Sequence, residues 1–260
     1  MDERFVSINP DARIADDVIV GPFTTIAENV EIGAGCRIGS NVTILPGSRL
    51  GKGVTVHPGA VIGGIPQDLK FRGEETLAII GDGTVLRECV TVNRGTAAKG
   101  QTVVGRNCLI MAYSHIAHDC IIHDNVIISN ASQLAGEVEV DDSAIIGGGS
   151  LIHQFCHIGA HIMMQGGALV NKDVPPFVKA AREPLSYTGI NVIGLRRRGY
   201  SADKIAEIEE IYRLIYNSGR NITEAVDYVA QTMPQTEERD LILDFIRKAD
   251  RGIIRCYSGV

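Results

Sequence analysis

A repeat of six residues constrains this chain more than any other feature. Stepping by six from Ile8 to Val170, every residue is Ile, Leu, Val or Met except Asp68, Glu74 and Ala98. Four residues after most of these slots comes a small or β-branched side chain, as at Ala12, Val18, Thr24, Cys36, Ser48, Cys108, Ser114, Cys120 and Ser132. Gly, Asn or Asp often falls between them, as in Ile32-Gly-Ala-Gly-Cys36. Such a hexapeptide reads as a short strand with one large side chain pointing inward, followed by a turn. Three strands per coil close a triangle, and stacked coils bury a continuous aliphatic column.

Composition agrees with a core of that kind. Hydrophobic residues make up 45% of the 260, yet aromatics are only 5%, Trp is absent and Gly numbers 29. A column of repeated aliphatics has no irregular space for large rings to fill. The six cysteines include no CxxC pair. Cys36, Cys108, Cys120 and Cys156 fall in the small inward slot and read as core fillers, while Cys89 and Cys256 fall outside it. Free thiols imply a reducing compartment. The net charge of −6 gives no reason to expect nucleic acid or an anionic membrane as partner. No apolar run reaches the ~18 residues of a membrane span, and MDERFVSINP lacks the pattern of a secretory signal. The expectation is a soluble, cytoplasmic protein without stable membrane insertion.

The frame breaks at 65–79 and 95–102, where insertions should form external loops. Asp68, Lys70, Arg72, Glu74 and Glu75 charge the first loop, which suits either a solvated spacer or a surface that reaches a polar ligand. After Asn171-Lys-Asp-Val-Pro-Pro176 the period becomes helical. Ser201 should cap a helix carrying Ile205, Ile208, Tyr212 and Ile215, and Thr223 one carrying Val226 and Val229. Thr236 should cap a third, carrying Leu241, Phe245 and Ile246 and ending at Gly252. The expected organisation is a β-helix over 1–190 and a helical domain over 191–260.

Six of seven histidines lie between 115 and 161, with the densest cluster in His115-Ile-Ala-His118-Asp119-Cys-Ile-Ile-His123. His115 and His118 occupy neither inward slot and should face outward. A His joined to an Asp within such a cluster suits an oriented base. Hexapeptide-repeat carbonic anhydrases bind zinc through three histidines, two of them five apart, as His118 and His123 are. They also need a third far upstream, and no His lies between His57 and His115. Arg196-Arg197-Arg198 is either a solvated basic turn or a cationic site for a pyrophosphate or an acidic protein.

The hexapeptides resemble the left-handed parallel β-helix acyltransferases. Handedness comes from that resemblance alone, since the usual crossover rule gives the opposite hand. A closer resemblance, over essentially the whole chain, is to the UDP-N-acetylglucosamine acyltransferase family, which acts at the first step of lipid A biosynthesis. It is carried by IPQDLKFRGEE, RECVTVNRGT, SHIAHDC, LAG, IIGG, HQFCHIGAH, KDVPPF, GINVIGLRRRG and the closing RGIIR. It implies a mainly β fold, a left-handed parallel β-helix followed by a small α-helical domain. It also implies a homotrimer with sites between neighbouring helices, and transfer of a β-hydroxyacyl group from acyl carrier protein to UDP-N-acetylglucosamine.

By the same resemblance His118 is the general base for the glucosamine 3-hydroxyl, Asp119 orients it, and the Gly136 backbone N–H binds the oxyanion. Asp68 and Lys70, with Gln67 beside them, match sugar-binding positions. His115 matches a residue near sugar and diphosphate, His153 and Gln154 match acyl and nucleotide contacts, and Asn191 and Arg198 match nucleotide and phosphate contacts. Gly166 matches the end of the acyl groove. Glu137 departs from the His that many members carry there, and Arg182-Glu-Pro-Leu-Ser-Tyr187 departs as well. A thioester is already activated, so a base and one oxyanion donor suffice, and no metal or cofactor is expected. The alternative transfer, to the amine of a UDP-amino sugar, typically accompanies an additional amino-terminal domain. Hexapeptides from residue 8 onward favour the O-transferase.

Overall fold

The structure, a computed structural model, describes residues 5–257, so Met1–Arg4 of the amino-terminal stretch read above lie outside the described residues. Strands of two to four residues alternate with turns from Ser7 to Val170 and form parallel sheets of nine, eight and eight strands, the last of which Val178–Ala181 and Ser186–Ile190 extend to ten. Pairing joins residues one coil apart, as in Ser7↔Thr25, Arg13↔Glu31 and Ile19↔Arg37. Three hexapeptides therefore make one coil, and each sheet is one face of a triangular β-helix.

The inward column is what the repeat predicts. Ile26, Ile44, Ile62, Ile80, Leu86, Ile110, Ile116, Ile122, Ile128 and Leu134 are all buried. Burial of each such side chain contributes about 1.5–3 kcal/mol, so the stack supplies most of the driving force. At the amino-terminal end Ile8 is 40% exposed and Ile14 half-buried, because among the described residues no coil stacks beneath them. The small slots fill the corners. Cys36, Cys108, Cys120 and Cys156 are buried, and the Cys120 thiol donates to the Ala135 carbonyl at 3.1 Å. Burial pushes that thiol up to about 12, so it is inert filler. At the turns one residue takes a positive φ, usually Gly or Asn as at Gly35, Gly53, Asn41 and Asn125, which explains their recurrence in the sequence.

The two insertions run from 65 to 76, between Val61–Gly64 and Leu77–Ile80, and from 94 to 100, between Thr91–Asn93 and Gln101–Val104. Leu77–Ile79 and Gln101–Thr102, expected in loops, belong to strands. The last coil passes through Val178–Ala181, which stacks parallel on Met163–Met164, to the antiparallel strand Ser186–Ile190.

Four helices follow: α1 (Val192–Arg197), α2 (Ala202–Asn217), α3 (Ile222–Thr232) and α4 (Glu237–Lys248). Ser201 and Thr236 cap α2 and α4 as expected. Asn221, not Thr223, caps α3, because its side chain and that of Glu224 satisfy each other's backbone N–H in a capping box. Helix α4 stops at Lys248 rather than Gly252, and α1 adds a short helix for which the sequence carries no periodic signal. Tyr212 donates to the Pro176 carbonyl at 2.6 Å, and the rings of Tyr187 and Tyr216 stack at 4.6 Å, fixing the helices onto the end of the β-helix.

Candidate active site

A cleft of about 570 Å³ opens along the nine-stranded sheet and the corner after it. Parallel stacking in register places His115, Gln133, Leu151 and Leu169 in one row down that sheet. The corner residues His118, Gly136 and Gln154 form a second row, one coil apart, and Gln67 reaches the rim from the first insertion. Polar groups thus line one end and leucines the other.

His118 is at the centre. It points away from the aliphatic column, as the repeat requires, but it is only 8% exposed. The expectation of an outward imidazole needs correcting to that extent: the ring is bonded to Asp119, which the 94–100 insertion holds, and Gly136 of the next coil lies against it. Its Nδ1 lies 2.9 Å from Oδ2 of Asp119. Asp119 is fully buried and also accepts hydrogen bonds from the Thr96 backbone N–H at 2.9 Å, the Thr96 hydroxyl at 2.6 Å and the Lys99 N–H at 3.2 Å. Burial by itself raises the carboxyl pKa, but the bonds from Thr96, His118 and Lys99 outweigh it and hold Asp119 below the usual carboxylate range. An ionised carboxylate only accepts, so the shared proton sits on Nδ1, and in the neutral ring Nε2 is the nitrogen with the open lone pair.

Gly136 explains why the ring can sit where it does. A Cβ there would lie 2.5 Å from His118 Cε1 and 2.6 Å from Nε2. Its carbonyl accepts from Phe155 N–H at 3.3 Å. Its N–H makes no hydrogen bond among the described residues. An unengaged backbone donor beside an unprotonated imidazole nitrogen can receive a developing oxyanion. His115 is half-buried, with Nδ1 2.7 Å from the Thr91 hydroxyl, and burial followed by the neighbouring His118 lowers its pKa. It is therefore a neutral hydrogen-bonding group.

Other residues singled out in the sequence are distributed unevenly. His153 and Gln154 line the cleft, the His153 ring 3.0 Å from the Gln154 carbonyl. Asp68 and Lys70 do not line it, since Asp68 turns back to accept from the Lys70 N–H at 2.8 Å. Asn191 caps α1 and donates to the His161 carbonyl at 3.0 Å. Arg198 donates to the Ser143 carbonyl at 2.9 Å and is half-buried, whereas Arg196 and Arg197 are exposed, so the triplet is not one cationic patch. Gly166 lies in the turn before Leu169–Val170. The positive φ of that turn belongs to Gly167, and a Cβ at Gly166 would lie 3.0 Å from the Gly148 carbonyl. Gly166 is there for close backbone approach, not turn conformation. His123 converges with Glu139 and Asp141 rather than with His118.

Sequence reasoning passed over Thr96 and Lys99, which lie in the frame break, and the apolar floor of Leu151 and Leu169. The latter carried a signal: they are leucines at the outward position before a slot, where a solvated face takes polar residues.

The chain is similar to several known proteins. A family model described as UDP-N-acetylglucosamine O-acyltransferase, domain 2, matches residues 173–254. A bacterial transferase hexapeptide model matches 101–136, and the GMPPB C-terminal domain model matches 3–103. The chain is 46% identical over 249 residues to the acyl-[acyl-carrier-protein]–UDP-N-acetylglucosamine O-acyltransferase of Thiobacillus denitrificans, covering 95% of this chain and 96% of that one. It is 48% identical to the protein of the same name from Pseudomonas syringae pv. tomato, with the same coverage. A crystal structure of a UDP-N-acetylglucosamine acyltransferase from Bacteroides fragilis superposes with a TM-score of 0.96 at 50% identity, covering 98% of this chain and all of that one. The superposition gives the β-helix its left hand.

Proposed function

The chain belongs to the UDP-N-acetylglucosamine O-acyltransferase family, and on that premise we propose how it performs the transfer. A β-hydroxyacyl group passes from the thioester of acyl carrier protein to the glucosamine 3-hydroxyl of UDP-N-acetylglucosamine, the first step of lipid A biosynthesis. His118 Nε2 takes the hydroxyl proton while the sugar oxygen attacks the thioester carbonyl. The carbonyl oxygen becomes an oxyanion that the Gly136 N–H receives. The intermediate collapses by breaking the C–S bond, and the departing thiolate recovers the proton from Nε2. Asp119 keeps the other ring nitrogen protonated and steadies the imidazolium. What carries this reading is the His118–Asp119 pair with its free Nε2 set against an unengaged Gly136 N–H.

In the same reading Gln67 and His115 hold the sugar, His153 and Gln154 contact acyl chain and nucleotide, and the leucine floor takes the alkyl chain as far as Gly166. Asp68, Lys70, Asn191 and Arg198, which leave the cleft of their own chain unfilled, serve a neighbouring subunit of a homotrimer. Leu69 supports that arrangement: it stands 96% exposed at the tip of the first insertion. We place the domain boundary at 190/191 and the protein in the cytoplasm. No helix among the described residues is long and apolar enough to cross a membrane. The test is an assay of the purified protein with UDP-N-acetylglucosamine and a panel of acyl carrier protein thioesters, alongside light scattering. Acylated nucleotide sugar from a trimer is the expected result. No product with any β-hydroxyacyl donor would overturn the assignment.

A further inference from the structure

The eight-stranded sheet carries a second cluster of titratable groups that the transfer does not use. Register pairs Ile121 with Glu139 and Glu139 with His157 on successive coils. Two residues further along, on the same outer side of the pleat, come His123 and Asp141. His123 Nε2 lies 3.2 Å from Glu139 Oε1 and 3.9 Å from Asp141 Oδ1, and the three ligand atoms all fall within 4.8 Å of one another. His157 Nε2 holds Asp141 Oδ1 at 2.9 Å, and its ring packs 4.5 Å from that of Phe245 on α4.

Two carboxylates converging on one imidazole nitrogen make a poor match for a proton. The single N–H at Nε2 serves Glu139, and Asp141 takes its donor from His157 instead. A divalent cation satisfies all three at once. Bonds of roughly 2.0–2.1 Å from nitrogen and oxygen to zinc imply ligand atoms about 3.3 Å apart in a tetrahedron. The separations of 3.2 and 3.9 Å close to that figure with small side-chain rotations. Neutral imidazole with carboxylates suits zinc and its first-row neighbours better than calcium or magnesium, which take oxygen ligands. His157 then has the usual outer role, a ring N–H orienting a ligating carboxylate.

We propose that His123, Glu139 and Asp141 form a binding site for a divalent transition ion of the zinc class, with His157 positioning Asp141. Through the contact of His157 with Phe245, the ion braces the β-helix against α4. It takes no part in acyl transfer.

Metal-stripped, full-length protein is titrated with cobalt(II), followed by visible absorption, and then with zinc. The expected result is one cobalt per chain with ligand-field bands, displaced by zinc, and a higher melting temperature in zinc. His123→Ala and Glu139→Gln should each abolish the bands and the zinc-dependent rise in melting. His157→Ala should weaken binding by roughly 10–100-fold, as loss of an outer partner does. Circular dichroism checks folding, and Glu139→Gln decides should His123→Ala misfold. Absence of cobalt bands in the parent overturns the proposal, and so does binding that survives both ligand variants unchanged.

Discussion

His118 and His123 sit five residues apart in one histidine-rich stretch, each beside a carboxylate, yet the fold makes them different chemical objects. The His118 side chain is 10% exposed and its Asp119 carboxylate is fully enclosed. His123 is 42% exposed and its Glu139 partner 39%. In the first pair the carboxylate takes Nδ1 and leaves Nε2 open to the cleft. In the second it is Nε2 that meets the carboxylates. A half-exposed pair of this kind is worth at most about 1 kcal/mol in the absence of a cation. The first pair is suited to act as a base because the 94–100 insertion supplies three donors to the buried Asp119. The repeat places both imidazoles, and only the insertion distinguishes them.

Replacing each histidine in turn gives the largest separation. His118→Ala should lower kcat/KM by about 10²–10⁴ with unchanged circular dichroism, as loss of a general base does. His123→Ala should keep activity within about twofold. Near-normal turnover without His118, or a comparable loss without His123, would erase the distinction.

Two glycines sharpen it further. Gly136→Ala puts a methyl group 2.5–2.6 Å from the His118 ring, so the imidazole must shift. Misplacing a catalytic group by about 1 Å can cost up to 10²-fold, and the loss should fall on kcat rather than KM. At Gly166, Met should block the end of the acyl groove. Excluding four methylenes at about 0.8 kcal/mol each shifts the long-to-short ratio of kcat/KM by roughly a hundredfold. Gly166→Ala meets the same Gly148 carbonyl without the reach, and separates backbone strain from groove length. A Met variant that keeps the parental chain-length profile moves the ruler elsewhere.

How much of this the sequence shows depends on whether the period governs the residue. The column from Val20 to Val170, the four filler cysteines and the outward aim of His115 and His118 all follow from counting by six. The hold on Asp119 does not, because Thr96 and Lys99 lie where the count fails and reach Asp119 across 23 and 20 residues of chain. Gly136 and Gly166 both look like turn residues. Only the separation between adjacent coils shows that each makes room for an atom of a neighbouring coil. In the helical region, Thr223 and Asn221 are equally good caps by residue type, and the register of Glu224 decides between them. The short α1 has too few residues to carry a helical period of its own.

The smallest effect tests the hold of the insertion on Asp119. Thr96→Val keeps the shape of the side chain but deletes the hydroxyl that donates to Asp119 at 2.6 Å, and with it the acceptor for the Ala98 N–H at 3.1 Å. A hydrogen bond to a charged group contributes about 1.5–3 kcal/mol, so the variant should melt earlier at neutral pH. The pH dependence identifies the source. Asp119 has its pKa lowered on folding, so its contribution is fully present above the ordinary carboxylate range and is lost as pH falls through the folded value. Losing the Thr96 bond raises the folded pKa towards the unfolded one, so the variant has less of this stability to lose and has lost it all at a higher pH than the parent. The gap between variant and parent should therefore be widest near neutrality and narrow in acid as both carboxyls protonate. Denaturant unfolding of the two proteins from neutral pH to about pH 3 measures it, since that window spans the ordinary Asp value near 3.9. A gap that stays constant across the range would assign the loss to packing of the insertion rather than to the ionised Asp119.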